Sequence, residues 1–160
     1  MAGSTIKKAI VRRYQRETLA GYINPISFQQ PTGIELLTAA GQVGTVPYGE
    51  IKAVVFVREF PDAEMEDRRI FLTRPKMEGL WVSLRFRDGD VMEGVMANNL
   101  LQLEQYGFTI IPPDPFSNNQ RFFVPRVSLE SLEVLGVVNS PLKKRKAKPA
   151  PREQIRLFDE

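Results

Sequence analysis

The 160-residue chain contains neither cysteine nor histidine. This excludes disulfides, thiolate and imidazole metal sites, cysteine nucleophiles and any triad with an imidazole base. Carboxylate and hydroxyl chemistry remains. No apolar run approaches the roughly 20 residues a membrane span requires, and Met1-Ala2-Gly3-Ser4-Thr5 lacks the apolar core of a secretory signal. The expectation is a cytoplasmic protein with no membrane partner, with which the absence of cysteine agrees.

The body also lacks net charge. Residues 1–140 hold 15 Lys/Arg against 16 Asp/Glu, a net of −1, whereas residues 141–160 hold seven against three, a net of +4. A near-neutral body argues against a domain that grips phosphate backbone by bulk electrostatics. The hydrophobic fraction of 42% is sufficient for a packed core without covalent staples.

Within the body, the stretch from Lys8 to Val57 matches the stretch from Leu80 to Leu135. Arg13-Tyr14 followed by Leu19-Ala20-Gly21-Tyr22 aligns with Arg85-Phe86 followed by Met92-Glu93-Gly94-Val95, with one extra residue in the second turn. Gly33-Ile34-Glu35-Leu36-Leu37 aligns with Gly107-Phe108-Thr109-Ile110-Ile111. Val46-Pro47, Ile51, Val54 and Phe56 align with Val124-Pro125, Leu129, Leu132 and Val134 at equal spacings throughout. Self-similarity of this kind is the signature of a repeated structural unit.

Each unit reads as a bent antiparallel meander. Arg87-Asp88-Gly89-Asp90 is a turn between two alternating apolar and polar strands, Trp81 to Phe86 and Val91 to Met96. Gly21 and Gly94 mark a bulge or tight corner. Pro47 and Pro125 cannot donate to a ladder and end their strands. The expected fold is all-β, with two tandem five-stranded small β-barrel repeats at 7–59 and 80–138, a linker at 60–79 and a disordered basic tail at 139–160. In the linker, Ile70-Phe71-Leu72 forms one strand or short turn against either barrel. The loop from Pro112 to Gln120 is stiffened by three prolines. It reads as a rigid lid plugged by Phe116, or as a binding loop on a rigid scaffold.

The segment Ser83-Leu84-Arg85-Phe86-Arg87-Asp88-Gly89-Asp90-Val91-Met92-Glu93-Gly94-Val95 resembles the first motif of Sm-like barrels. In that motif an Asp-Gly turn precedes an apolar residue, a glycine and another apolar residue. Where the second Sm motif places an Arg-Gly pair, this chain has Phe123-Val124-Pro125-Arg126. The run from Trp81 to Gly136, with Pro112-Pro113-Asp114-Pro115 and Ser117-Asn118-Asn119-Gln120-Arg121, is similar to an uncharacterised family of small bacterial barrel domains. The Sm-like resemblance implies RNA binding, with Asn98 and Asn99 in the loop region that reads bases. Asp114, Asn118, Asn119 and Arg121 complete a candidate loop ligand site. Arg12 and Arg16, four apart, resemble part of a cyclic di-nucleotide receptor of the PilZ type, although Asn24 to Gln30 lacks its second motif. A solvated basic strand edge explains the same arginines.

The tail carries the most specific pattern. Lys143, Lys144, Arg145, Lys146 and Lys148 lie in a proline-containing stretch almost without apolar residues, which is a disordered composition suited to nonspecific attraction to nucleic acid or an acidic surface. Apolar residues return in Gln154-Ile155-Arg156-Leu157-Phe158. This is similar to the peptide by which bacterial polymerases and repair proteins dock on the DNA sliding clamp. The resemblance implies that Gln154 hydrogen-bonds in a small pocket, Leu157 and Phe158 fill an apolar one, and Ile155 makes a secondary contact. A terminal strand or turn folding back on a barrel is the alternative. Asp88, Asp90, Glu93 and Asp114 are the acids clustered near turns that could act as a catalytic pair or hold Mg²⁺, but turn and surface roles explain them more simply. The expectation is therefore a non-catalytic adaptor with no cofactor and no metal, docking through its tail.

Overall fold

A computed structural model describes residues 6–61, 69–114 and 117–138. The first half contains β1 (Lys7–Arg13), β2 (Leu19–Ile23), β3 (Gln29–Gln30), β4 (Gly33–Thr38), β5 (Val43–Val46) and β6 (Ile51–Val57). The second contains β7 (Gly79–Phe86), β8 (Val91–Met96), β9 (Gly107–Ile110), β10 (Asn119–Pro125) and β11 (Leu129–Val138). Short 3-10 turns join some of them, and the described residues contain no α-helix. The protein is all-β.

Local sequence explains the hairpins. In β7, Val82, Leu84 and Phe86 are buried while Ser83 and Arg85 alternate outward, the two-residue period of a half-buried strand. The turn into β8 falls at Arg87-Asp88-Gly89-Asp90: the Phe86 amide donates to the Asp90 carbonyl at 2.8 Å, and Asp88 Oδ1 accepts from the Asp90 amide at 3.1 Å. Gly89 takes φ +95° there, a conformation that favours glycine. Both Val-Pro pairs end a strand, and each proline leads into a 3-10 turn, at Tyr48–Glu50 and Arg126–Ser128.

Strand register repeats between the halves. Val11 pairs with Leu19 as Leu84 pairs with Met92, and Val11 with Val54 as Leu84 with Leu132. Val46 pairs with Ile34 as Val124 pairs with Phe108. The register also corrects the first alignment block by one residue. Arg12, not Arg13, is the counterpart of Arg85, because Arg12 faces Ala53 as Arg85 faces Ser131. The two turns are then equal in length, and the apparent extra residue disappears.

Neither half closes into a barrel. Eight strands form one sheet in the order β3-β4-β2-β1-β6-β10-β9 with β5 on β4, and β11-β7-β8 form a second sheet. The outer edge of β6, which closure would have joined to β5, is taken by β10 of the other half, with Phe122 opposite Val55 and Phe123 opposite Val54. In the second half, β8 and the chain just after β9 share a single isolated bridge, between Val95 and Ile111, which exchange hydrogen bonds of 3.0 and 2.8 Å.

The β6 and β10 pair is buried on both faces. One core contains Val54, Phe56 and Phe123 with Val11, Ile34 and Leu36. The other contains Val55, Val57, Phe122 and Val124 with Val82, Leu84 and Ile110. This explains the near-continuous apolar run of β6, where only Lys52 interrupts buried positions. Residues from both halves thus build each core.

Gly21 and Gly94 serve close approach rather than a bulge, since register is continuous through both. A Cβ at Gly21 would lie 2.6 Å from the Leu37 carbonyl oxygen, and one at Gly94 only 2.1 Å from Ile110 Cγ2. The linker residues 69–78 form bends and irregular chain and no strand. They pack on the second half: the Glu93 amide donates to the Arg69 carbonyl at 2.7 Å, and Phe71 meets Trp81 edge to face at 6.2 Å. The proposed plug Phe116 lies outside the described residues.

Candidate functional site

The candidate loop residues fall into separate places. Asn99 caps the 3-10 turn Leu100–Gln102, its side chain accepting from the Leu101 amide at 3.0 Å, so its oxygen is committed to the turn. Asn98 is exposed beside it. Asn118 grips the main chain of Glu59, accepting from its amide at 2.9 Å and donating to its carbonyl at 2.8 Å. The side-chain amide continues the β6 and β10 ladder past its end. The Asp114 carbonyl accepts from Ser117 Oγ at 2.8 Å, and its carboxylate is exposed. Asn119 opens β10 opposite Val57, and Arg121 stands opposite Phe56 with its side chain exposed.

Arg121 borders two adjoining cavities of about 420 and 480 Å³, which share Glu104, Thr109 and Ile111. Asn99 lines the first; Lys7, Phe28 and Phe56 line the second. The structure thus brings Asn99 and Arg121 to one place and leaves Asp114 and Asn118 elsewhere. Glu104, absent from the candidate set, organises the region by accepting hydrogen bonds from the Gln29 side-chain amide and the Thr109 hydroxyl. Its two oxygens join the first half to the second. The contact with Gln29, 75 residues away, has no local signature. With both oxygens accepting, Glu104 orders its neighbours rather than acting as a free base. The second cavity is lined by the cations of Lys7 and Arg121, the Glu104 carboxylate and the apolar side chains of Phe28 and Phe56, a mixed lining that can hold a polar group.

The turn acids are structural. Lys52 Nζ, from β6, lies 2.7 Å from Asp88 Oδ2 and also hydrogen-bonds Asp90, which Arg69 approaches at 3.2 Å. Burial opposes the Lys52 charge, but the hydrogen bonds it donates to both aspartates outweigh it and raise its pKa above the ordinary lysine value. Burial likewise opposes ionisation of Asp88, and the hydrogen bonds from Lys52 and the Asp90 amide reverse that and lower its pKa. Asp90 is lowered chiefly by its hydrogen bond from Lys52. Carboxylates held ionised by fixed cations make poor general acids. Glu93 accepts from Trp81 Nε1 at 3.0 Å and from the Phe71 amide at 3.3 Å, anchoring the linker. Among the described residues no group of three or more acidic side chains is placed to hold a metal ion.

The two arginines of the PilZ-like pattern diverge. Arg12 lies over the Phe122 ring at 5.5 Å, whereas Arg16 pairs with Glu50 at 3.9 Å. A second polar junction joins the halves nearby. Tyr14 Oη lies 2.5 Å from Ser128 Oγ, which donates to the Lys52 carbonyl at 2.8 Å, and Arg87 stacks on the Tyr14 ring at 4.1 Å. Ser128 is fully buried, so this network satisfies a polar group that would otherwise destabilise the core. The basic residues Lys143 to Lys148 and the terminal Gln154, Ile155, Leu157 and Phe158 lie outside the described residues.

A family model described as a family of unknown function, DUF6982, matches residues 5–136. The chain belongs to that family. The DUF6982 match runs through both halves, so the family covers the first half as well as the stretch from Trp81 to Gly136. No curated protein and no solved structure matches the chain. No helix among the described residues of this DUF6982 member is long and apolar enough to cross a membrane.

Proposed function

We propose that the chain is a non-catalytic adaptor. Its two interlocked repeats, read as Sm-like small β units that share a wall instead of closing as barrels, form a rigid body. Its C-terminal segment docks on a protein partner, and the DNA sliding clamp is the partner whose peptide pattern it resembles. The observation that carries this reading is the return of apolar residues in Gln154-Ile155-Arg156-Leu157-Phe158 beyond a basic, proline-containing stretch. The commitment of Asp88 and Asp90 to Lys52 supports a non-catalytic role. From Pro141 to Gln154 an extended chain spans at most about 45 Å, enough to reach a partner while the body stays fixed.

The test is titration of the full-length chain into purified clamp. Saturable binding in the micromolar range is expected for so short a peptide, with a loss of at least about tenfold in the Leu157→Ala, Phe158→Ala double variant. Absence of binding, or binding indifferent to the double substitution, removes the clamp. A second reading, nucleotide or RNA binding by the body, is favoured by Lys7, Asn99 and Arg121 around the two cavities. It requires binding that survives the tail substitutions and falls with Arg121→Glu.

A further inference from the structure

The interface between the two halves is made from edges that each half possesses, and one copy of each edge is left over. β6 of the first half presents its outer edge to β10 of the second. By the repeated register, the counterpart of β6 is β11 and the counterpart of β10 is β5. Among the described residues β11 pairs only with β7, and β5 only with β4. Among the described residues, no strand lies on the outer edge of either.

Burial marks the difference between a covered and an uncovered edge at equivalent positions. In β6, Val54, Phe56 and Val57 are 0%, 9% and 4% exposed. Their counterparts in β11 are Leu132, half-buried, with Val134 and Leu135 at 55% and 44%. On the facing edge, Phe123 is fully buried, while its counterpart Thr45 is exposed, as is Val43 two residues before it. A ten-residue strand with exposed Val134, Leu135 and Val137 is a template for another strand. The edge is only partly guarded: Glu130 and Glu133 are exposed upon it, and Arg74 donates to the Val137 carbonyl at 2.8 Å, covering its far end alone.

We propose that the chain associates with further copies of itself head to tail, β11 of one molecule pairing antiparallel with β5 of the next in the manner of β6 with β10. The register follows from the internal one. As Arg121 lies opposite Phe56 and Phe123 opposite Val54, Val43 lies opposite Val134 and Thr45 opposite Leu132. The two most exposed valines of the facing edges thus cover one another. Between them Glu133 meets Gly44, where no side chain obstructs the carboxylate and nothing lies within 4 Å of an added Cβ. The mode is heterologous, each molecule offering one edge of each kind, so association closes into a ring or extends as a filament.

The experiment uses the full-length chain in sedimentation velocity across a concentration series. Species larger than a monomer are expected, growing with concentration, and Val134→Lys weakens the association by about threefold to fivefold through loss of the apolar pair while leaving the circular dichroism and melting temperature unchanged. The absence of cysteine permits a second measurement. Val43→Cys and Val134→Cys chains are mixed and treated with a short bis-maleimide. Cross-linking in the mixture, and little with either variant alone, fits the head-to-tail pairing. A native chain that stays monomeric to about 100 µM, or Val134→Cys chains that link to one another as readily as to Val43→Cys, overturns it.

Discussion

Gly107 and Gly33 occupy the same place in the two halves, and the reason for glycine is the same atom. A Cβ at Gly107 would lie 2.4 Å from the Val124 carbonyl oxygen, and one at Gly33 would lie 2.2 Å from that of Val46. In both cases the obstruction is backbone of the facing strand, which cannot rotate away. Gly107→Ala should therefore destabilise by about 3 kcal/mol, as overpacking against an immobile neighbour does. Gly49, with nothing within 4 Å of an added Cβ, supplies the control, and its alanine variant should stay within about 0.5 kcal/mol of the native chain. Urea unfolding of both variants checks the contrast. Equal effects would mean that the facing strands separate freely at Gly107.

At the scale of elements, what the sequence disclosed was what neighbours along the chain decide. The Asp-Gly hairpin between β7 and β8 and the Val-Pro strand ends were legible because turn chemistry is local. So was the internal repeat, from its equal spacings. Which edge pairs with which was not. The β6 and β10 ladder joins Val55 to Phe122 across 67 positions, and alternation of apolar residues is identical whether a strand closes its own barrel or joins another's sheet. The double burial of β6 did leave a trace, the run Ala53-Val54-Val55-Phe56-Val57, which is too continuous for a strand with one wet face. The cavity escaped for the same reason, since Glu104 gains its meaning from Gln29 in the other half.

The tether from β6 to the β7–β8 turn titrates at both ends of the pH scale. Asp88 and Asp90 have pKa values lowered in the fold, so their contribution is present above the ordinary aspartate value of 3.8 and is lost as pH falls through the depressed values. Lys52 is raised above 10.5, so its contribution is complete below that pH and is lost as pH rises through the folded value. The pairs are partly open to solvent, which limits the effect to about 1 kcal/mol or less. In melting curves recorded between pH 2 and 5, the Asp88→Asn, Asp90→Asn variant should show a flatter acid slope than the native chain. An unchanged slope would assign acid sensitivity to other carboxylates.

For the molecule as a whole, the shared wall decides how the body unfolds. Phe123 belongs by sequence to the second half, yet its ring is buried in the first core, 5.2 Å from Phe28 and nearly perpendicular to it. Phe122, its neighbour on the same strand, is buried in the second core. Pulling β10 from β6 therefore opens both cores at once, so neither half has a complete core of its own. Phe123→Ala should cost about 3–5 kcal/mol, the range for emptying a buried aromatic site, and should lower a single transition instead of splitting it. The decisive readout is whether near-ultraviolet signals from Trp81, in β7 of the second half, shift with the same midpoint as far-ultraviolet circular dichroism. Two independent domains would leave the Trp81 midpoint in place while the first core melted early; an interlocked body moves both together.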